Sequence, residues 1–391
     1  MARYDGRVVF VRHALPGEVV RARLTEAAET ARFWRADAVA VRQASPDRVA
    51  SPWPEAGPGG VGGAELGHVA LPAQRAWKAS VLGEQLRRLS GVIRDVEVEA
   101  APSESDGLGW RTRVELVVDG AGRPGMHRYR SPDVVPLPAM PLGVPGLDLA
   151  DLLARRWPPG SRLTAVAPVG GDRPLLLVDG VPWGANGPDR RRTARASVRE
   201  RATVVGHEHV WRVSGTGFWQ VHRDAPAVLA EAVAEAAAPV LAATTGATVL
   251  DLYSGAGLFT AVLARLAAEH GALVHAVEGD PRAVRDARRN LHDHPAAALH
   301  EGDVSRVLAA GLPERADLVV LDPPRAGARR GVVAAIAGRK PQRVGYVACD
   351  PAALARDVAL LADHGYRLTG LRAFDLFPMT HHVEAVAVLD R

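Results

Sequence analysis

From Phe218 to Arg391, short apolar runs alternate with alanine-rich stretches of helical composition, and this alternation leaves few folds open. The runs Ala247-Thr248-Val249-Leu250, Leu273-Val274-His275-Ala276-Val277, Leu318-Val319-Val320-Leu321 and Val344-Gly345-Tyr346-Val347 are too short to be helices of their own. They also lack the strict in–out alternation of a strand with one wet face. Strands that are apolar on both sides and separated by helices form a parallel sheet covered on both faces. The fold class expected for residues 216–391 is therefore α/β.

The stretch before it reads differently. Arg7-Val8-Val9-Phe10-Val11, Val19-Val20-Arg21-Ala22-Arg23-Leu24 and Ala38-Val39-Ala40-Val41 are β-rich, with Leu15-Pro16-Gly17-Glu18 turning the chain between the first two. Residues 1–50 are expected to form a small β-barrel. Ser51 to Gly67 is rich in proline and glycine without periodicity and reads as a loop. A helix is expected from Pro72 to Leu89, then a mixed region of strands and turns. Residues 51–215 are taken as a central α+β domain.

Hydrophobic content of 47% and charged content of 24% are ordinary for a globular chain. No stretch approaches 18 uninterrupted apolar residues, and Met1-Ala2-Arg3-Tyr4-Asp5-Gly6 has no apolar signal-peptide core, so a cytoplasmic monomer away from membranes is expected. Net charge is +4, and only Lys78 and Lys340 among the 48 basic residues are lysines. Arginine abundance alone therefore says little, but the cluster Arg190-Arg191-Arg192, Arg195, Arg199 and Arg201 has the density of a nucleic-acid contact. The single cysteine, Cys349, excludes an internal disulfide and a cysteine-built metal site.

Val249-Leu250-Asp251-Leu252-Tyr253-Ser254-Gly255-Ala256-Gly257-Leu258-Phe259 runs from a strand through a glycine turn into a helix. Such a turn lets backbone approach a ligand at the carboxyl end of a Rossmann-like sheet. A lone G-x-G would serve a dinucleotide equally well. S-adenosylmethionine is favoured by Thr260 in place of the third glycine, by Asp251 ahead of the loop, and by Glu278 twenty-three residues after Gly255, placed to accept from ribose hydroxyls. Asp303, in Gly302-Asp303-Val304, is then offered to the adenine amino group.

Two later strand ends complete the pattern. Asp322-Pro323-Pro324-Arg325 carries an arginine where enzymes that methylate amino nitrogens carry an aromatic residue. Cys349-Asp350-Pro351 puts the lone thiol at the end of the next strand, where open α/β sheets hold reactive groups. Glu384, flanked by Val383, Ala385 and Val386, offers a base in an apolar setting that raises its pKa.

Phe218-Trp219-Gln220-Val221, Asp251-Leu252-Tyr253-Ser254-Gly255, Leu321-Asp322-Pro323-Pro324-Arg325, Tyr346-Val347-Ala348-Cys349-Asp350-Pro351 and Phe377-Pro378-Met379-Thr380-His381-His382-Val383-Glu384 follow one another as in the RNA 5-methyluridine methyltransferases. Residues 1–50 resemble the second part of that family's TRAM domain, above all Phe10-Val11-Arg12-His13-Ala14-Leu15-Pro16-Gly17-Glu18. The resemblance covers almost the whole chain. It implies transfer of a methyl group from S-adenosylmethionine to C5 of a uridine in RNA, ribosomal RNA being favoured over tRNA. It implies that Gln220, Tyr253, Glu278 and Asp322 contact the cofactor, that Cys349 is the nucleophile and that Glu384 accepts the C5 proton. The chemistry fits, since uracil C5 becomes nucleophilic only after a thiolate adds to C6, and a base must then remove the C5 proton.

The sequence departs from the family at three places. Ser51, Val61, Ala64 and Met140 stand where many relatives place the cysteines of a four-iron cluster, so no iron–sulfur cluster is expected. His222 replaces the usual asparagine after Phe-x-Gln-Val. The barrel is expected to be partial, lacking its first strand. Three other readings compete: a 5-methylcytosine RNA methyltransferase, which typically needs two cysteines; a catalytically silent RNA-binding module; and an NAD-dependent dehydrogenase.

Overall fold

In a computed structural model, which describes residues 1–185 and 187–391, four strands open the chain. They are β1 (Ala2–Tyr4), β2 (Arg7–Arg12), β3 (Val19–Glu26) and β4 (Phe33–Gln43), in sheet order β1-β2-β4-β3. This strand-rich unit is consistent with the expected barrel. Its first strand was not foreseen: β1 lies ahead of Arg7 and pairs Ala2 with Val9 and Tyr4 with Arg7. The signal was there in Asp5-Gly6, whose φ angles of 46° and 72° are those of a two-residue primed hairpin turn.

Residues 51–67 are irregular, as expected, yet far from loose: Trp53, Ala56, Val61 and Ala64 are all buried. Helix α1 (Leu71–Ser90) matches the expected helix and ends at Gly91, which takes the left-handed conformation (φ 71°) that glycine adopts without steric cost. Strand β5 (Val98–Ala100) follows. The chain then builds β6 (Arg113–Val118), β7 (Pro124–His127), β8 (Val134–Pro136), helix α2 (Leu149–Ala154), β9 (Arg162–Val166), β10 (Leu175–Val178), β11 (Val181–Gly184) and β12 (Gly187–Pro188). These seven strands form one antiparallel sheet in the order β12-β11-β10-β9-β6-β7-β8. A separate hairpin, β13 (Ser197–Val204) and β14 (His207–Ser214), links it to the last part.

That part alternates as the sequence requires: α3 (Ala225–Ala243), β15 (Thr248–Leu252), α4 (Leu258–Glu269), β16 (Leu273–Glu278), α5 (Pro281–Asn290), β17 (Ala297–Glu301), α6 (Val304–Ala310), β18 (Leu318–Leu321), α7 (Arg329–Gly338), β19 (Arg343–Ala348), α8 (Pro351–Ala362), β20 (Arg367–Asp375) and β21 (Glu384–Asp390). The sheet order is β17-β16-β15-β18-β19-β21-β20-β5, parallel from β17 to β19, with β21 antiparallel to both neighbours. One apolar cluster fills the face under α3, α4 and the β13–β14 hairpin, and a second fills the face under α1, α6, α7 and α8. Both faces are covered, which is why its strands show no alternation. Helix α3 is apolar and long enough to cross a bilayer by composition, but its apolar residues, Leu229, Val233, Ala237 and Leu241 among them, sit in the first cluster.

The stretch expected as one central domain is shared between layers. Strand β5 pairs with β20, and Leu82 and Leu86 of α1 join the core under α8. The β13–β14 hairpin docks on the parallel sheet's layer through Trp211, fully buried, and Val213.

Candidate active site

Strand β15 leads to β16 on one side and β18 on the other, so the crevice for a ligand opens beyond the carboxyl ends of these strands. The turn after β15 is built for close backbone approach. Tyr253 (φ 65°), Gly255 (φ 57°) and Gly257 (φ 89°) all lie in the left-handed region, and the turn hands over to α4 at Gly257. A tyrosine in that region is strained, and such strain is held where a site requires it.

Glu278 ends β16 and is fixed by two backbone donors: Gly255 N–H reaches Oε2 at 2.8 Å and Asp280 N–H reaches Oε1 at 2.6 Å. The turn is held from outside as well, since Trp211 Nε1 donates to Gly257 O at 3.1 Å and Asn290 Nδ2 to Ala256 O at 2.8 Å. Asp251 Oδ1 and Ser254 Oγ are buried without a hydrogen-bond partner among the described residues.

A cavity of about 770 Å³ extends from this turn, a size typical of cofactor and substrate sites. Its wall includes Gln220, Tyr253, Gly255, Glu278, Asp322, Cys349 and Glu384, seven of the eight residues expected to form the site. Asp303 is not part of that wall. It is exposed, and its carboxylate caps α6, accepting from Arg306 N–H at 3.2 Å and from Ser305 Oγ.

The electrostatics are lopsided. Five carboxylates line the cavity (Glu65, Glu278, Asp280, Asp322 and Glu384) against two guanidiniums, Arg111 and Arg325. Burial first, and then the Asp251 carboxylate, pushes Asp322 up to about 7. Asp251 is itself raised to about 7, chiefly by burial and further by Glu278, while Thr260 pulls it down. Such a site welcomes a cation and opposes a pyrophosphate. S-adenosylmethionine, with a sulfonium and an ammonium, fits it; NAD does not.

Cys349 follows β19, and Asp350 and Pro351 start α8, with Asp350 Oδ1 accepting from Ala353 N–H at 2.8 Å. Burial raises the thiol to about 11, helped by the Glu384 and Asp322 carboxylates and opposed by Arg325. Glu384, the first residue of β21, is 5% exposed. Burial and Asp322 hold it well above the usual carboxylate range, with Arg325 again opposing. The apolar setting read from Val383, Ala385 and Val386 is present: all three are buried.

The segment before Glu384 is tied down from a distance. Lys78 Nζ contacts Asp375 Oδ1 at 2.5 Å and Phe377 O at 3.0 Å, and the pair is almost wholly buried. Gln74 Oε1 accepts from Met379 N–H at 2.8 Å, while its Nε2 donates to Leu66 O and Val69 O. Leu66 N–H donates to Met379 O at 2.7 Å.

Overall, the chain is matched at similar length by known proteins. An uncharacterized RNA methyltransferase of Streptomyces avermitilis is 40% identical, covering 99% of this chain and 93% of the relative. The 23S rRNA (uracil(1939)-C(5))-methyltransferase RlmD of Shewanella denitrificans is 31% identical, covering 100% of this chain and 92% of its own. This chain belongs to the RNA 5-methyluridine methyltransferase family. The profile described as tRNA (Uracil-5-)-methyltransferase matches residues 313–391, and one described as Methyltransferase small domain matches residues 225–344. The Pyrococcus abyssi tRNA (uracil-54, C5)-methyltransferase, solved with S-adenosyl-L-homocysteine, shares the fold, with a TM-score of 0.69 at 23% identity over 97% of this chain and 95% of that one.

The iron–sulfur cluster of many family members does not fit here. Val61, Ala64 and Met140 are buried together in an apolar core with Trp53 and Trp110, and the chain's one thiol lies in the cavity described above. Four thiolates are needed to hold such a cluster. His222, the other departure, is buried: its ring stacks on Trp110 at 5.6 Å and its Nδ1 accepts from Asp224 N–H at 3.0 Å.

Sequence reasoning assigned no role to several residues of the cavity. Phe218 stands at it with 76% of its surface exposed, an unusual position for a large aromatic residue. Arg325 lies 3.3 Å from His382 Nε2. Glu65 and Arg111 arrive from distant stretches and carried no local signal. Phe218 did carry one, since it heads the Phe-x-Gln-Val motif.

Proposed function

We propose that this chain methylates C5 of a uridine in RNA, ribosomal RNA in preference to tRNA, through a covalent Cys349 adduct and proton removal by Glu384. The supporting observation is that one cavity holds both side chains beside a carboxylate-rich glycine turn. The turn, the Glu278 carboxylate, and the orphaned Asp251 and Ser254 oxygens suit S-adenosylmethionine, and Gln220, Tyr253 and Asp322 complete its bed. Bound there, the cofactor supplies an electrophilic methyl group on a positively charged sulfur.

The protein's part follows in order. The exposed Phe218 ring offers a face on which an unstacked pyrimidine can lie. Cys349 gives up its proton to solvent and its sulfur bonds to C6, which moves the C5=C6 electron pair into an enolate. Arg325 places a positive charge beside this centre to stabilise the enolate oxygen. Once C5 carries its new methyl group, Glu384 takes the C5 proton. A carboxylate whose pKa is raised is the stronger base for that step. The electrons of the C5–H bond re-form C5=C6, and the C6–sulfur bond breaks to free Cys349.

The ribosomal reading rests on the RlmD relative and on the strand-rich N-terminal unit, and a cytoplasmic site of action goes with it. Mapping 5-methyluridine in the total RNA of a deletion strain tests the proposal. One ribosomal position should lose its methyl group, regain it with the wild-type gene and not with Cys349→Ala. Loss confined to tRNA would overturn the ribosomal reading, and no lost 5-methyluridine anywhere would overturn the proposal.

A further inference from the structure

Away from the catalytic cavity, an open concavity of about 780 Å³ lies between the β9–β10 connection and the β13–β14 hairpin. Four guanidiniums, Arg173, Arg195, Arg199 and Arg212, face one carboxylate, Asp172. Their arrangement differs from that of loose surface arginines. Arg195 is held by backbone carbonyls, Arg173 O at 2.7 Å and Pro174 O, which fix its position and leave its charge intact. Arg212 Nε donates to Ser197 Oγ at 2.9 Å, again a neutral partner, and among the described residues its two η nitrogens make no hydrogen bond. Arg199 alone is neutralised, through Asp172 Oδ1 at 2.8 and 3.0 Å. Arg173 makes no side-chain hydrogen bond among the described residues and is exposed.

The concavity is rigidly linked to the catalytic cavity. Arg199 pairs with Arg212, and Ser197 with Ser214, across the hairpin. Trp211 on the same strand donates into the glycine turn, and Ser214 N–H donates to Asp286 Oδ2 at 2.8 Å. From Arg212 the chain runs directly to Phe218, a span of at most roughly 20 Å for six residues.

We propose that this concavity seats backbone phosphates of the RNA strand that delivers the target uridine. The inference rests on the reading of the substrate as RNA and adds where its backbone is gripped. Guanidinium forks fixed by neutral partners match phosphate oxygens bidentately, and they contribute without contacting a base. Phe218 and the catalytic cavity then receive the base from a strand whose backbone is anchored next to them.

The experiment compares wild type, Arg173→Gln/Arg212→Gln, Arg173→Gln alone and Arg87→Gln/Arg88→Gln, the last on exposed positions of α1 at the opposite edge of the sheet. Binding of a fluorescein-labelled oligouridylate is followed by anisotropy over a series of salt concentrations. Each phosphate contact removed should reduce the slope of log affinity against log salt by about 0.7 for a single strand, hence by about 1.4 for the double variant. The α1 pair should keep the wild-type slope. All four proteins should bind S-adenosylhomocysteine alike in calorimetry. Arg173→Gln, which disturbs no internal hydrogen bond, decides the matter if the double variant misfolds. A wild-type slope in the Arg173 variants, or an equal drop in the α1 pair, overturns the inference while leaving the RNA reading intact. A wild-type protein that does not bind the oligonucleotide overturns both.

Discussion

Glu384→Gln keeps the shape of a buried side chain on β21 and deletes its charge. Two effects follow. After burial, the Glu384 carboxylate is the largest influence holding the Cys349 thiol near 11. Without it the thiol pKa falls, and each unit gives about tenfold more thiolate at neutral pH. Adduct formation therefore proceeds at least as fast as in wild type. Release behaves oppositely: a positioned general base is worth about 10²–10⁴ in rate, or roughly 3–5 kcal/mol of barrier. A faster first half and a slower second half make the protein–RNA adduct, with its methyl group in place, the species that accumulates. Labelled RNA incubated with the variant and S-adenosylmethionine, then boiled in detergent and run on a denaturing gel, should show a shifted band and one methyl group per enzyme. Cys349→Ala should show neither. Multiple turnover by Glu384→Gln at the wild-type rate would refute the assignment. His382 would then be the next base to test, because it shares the cavity wall and burial, with charge from His381, lowers it to about 4, leaving it neutral at pH 7.

Glu278→Ala should weaken S-adenosylhomocysteine binding by about 1.5–3 kcal/mol, as expected for loss of charge-assisted hydrogen bonds; unchanged affinity in calorimetry would move the ribose elsewhere. With its thiol raised to about 11, ligand-free Cys349 should react with iodoacetamide about tenfold faster per pH unit between pH 7 and pH 10, and a plateau near pH 8 would contradict the burial argument. Asp322 is raised to about 7 in the folded state, so its contribution to stability is present below about pH 4 and is lost as pH rises to 7. The Tm of ligand-free Asp322→Asn should gain on wild type across that window, and a constant difference would sink the assignment. Purified protein should contain no iron by metal analysis, since Val61, Ala64 and Met140 fill three of the four cysteine positions with packed apolar side chains and Ser51 stands at the fourth.

The parallel sheet was legible because its strands are buried on both faces, which removes alternation and leaves unbroken apolar runs. Cys349 and Glu384 were legible because each sits at the end of such a run. Asp303 was read from its position after a strand; its carboxylate also caps the next helix, a local role the strand-end reading did not include. Glu65 and Arg111 were beyond reach, since only tertiary folding brings their stretches to the cavity. The division at residue 215 followed a change of pattern in the sequence, whereas β5, α1 and the β13–β14 hairpin choose their layers by long-range pairing. The strand β1 was missed for a local reason: three residues are too few to show a pattern, and Asp5-Gly6 was the only clue.

The bonds of Gln74 and Lys78 to Met379 and Asp375 join positions 305 and 297 residues apart. On the ribosome, α1 is complete long before either partner has been made. Until then its ammonium group and amide lack the groups that neutralise and position them, and α1 cannot settle into its final place at low cost. Assembly of the catalytic pocket is thus deferred to the end of translation. A nascent chain stalled between Cys349 and Phe377 carries its thiol without the loop that completes the pocket, and on the proposed mechanism stays inert toward the RNA that surrounds it.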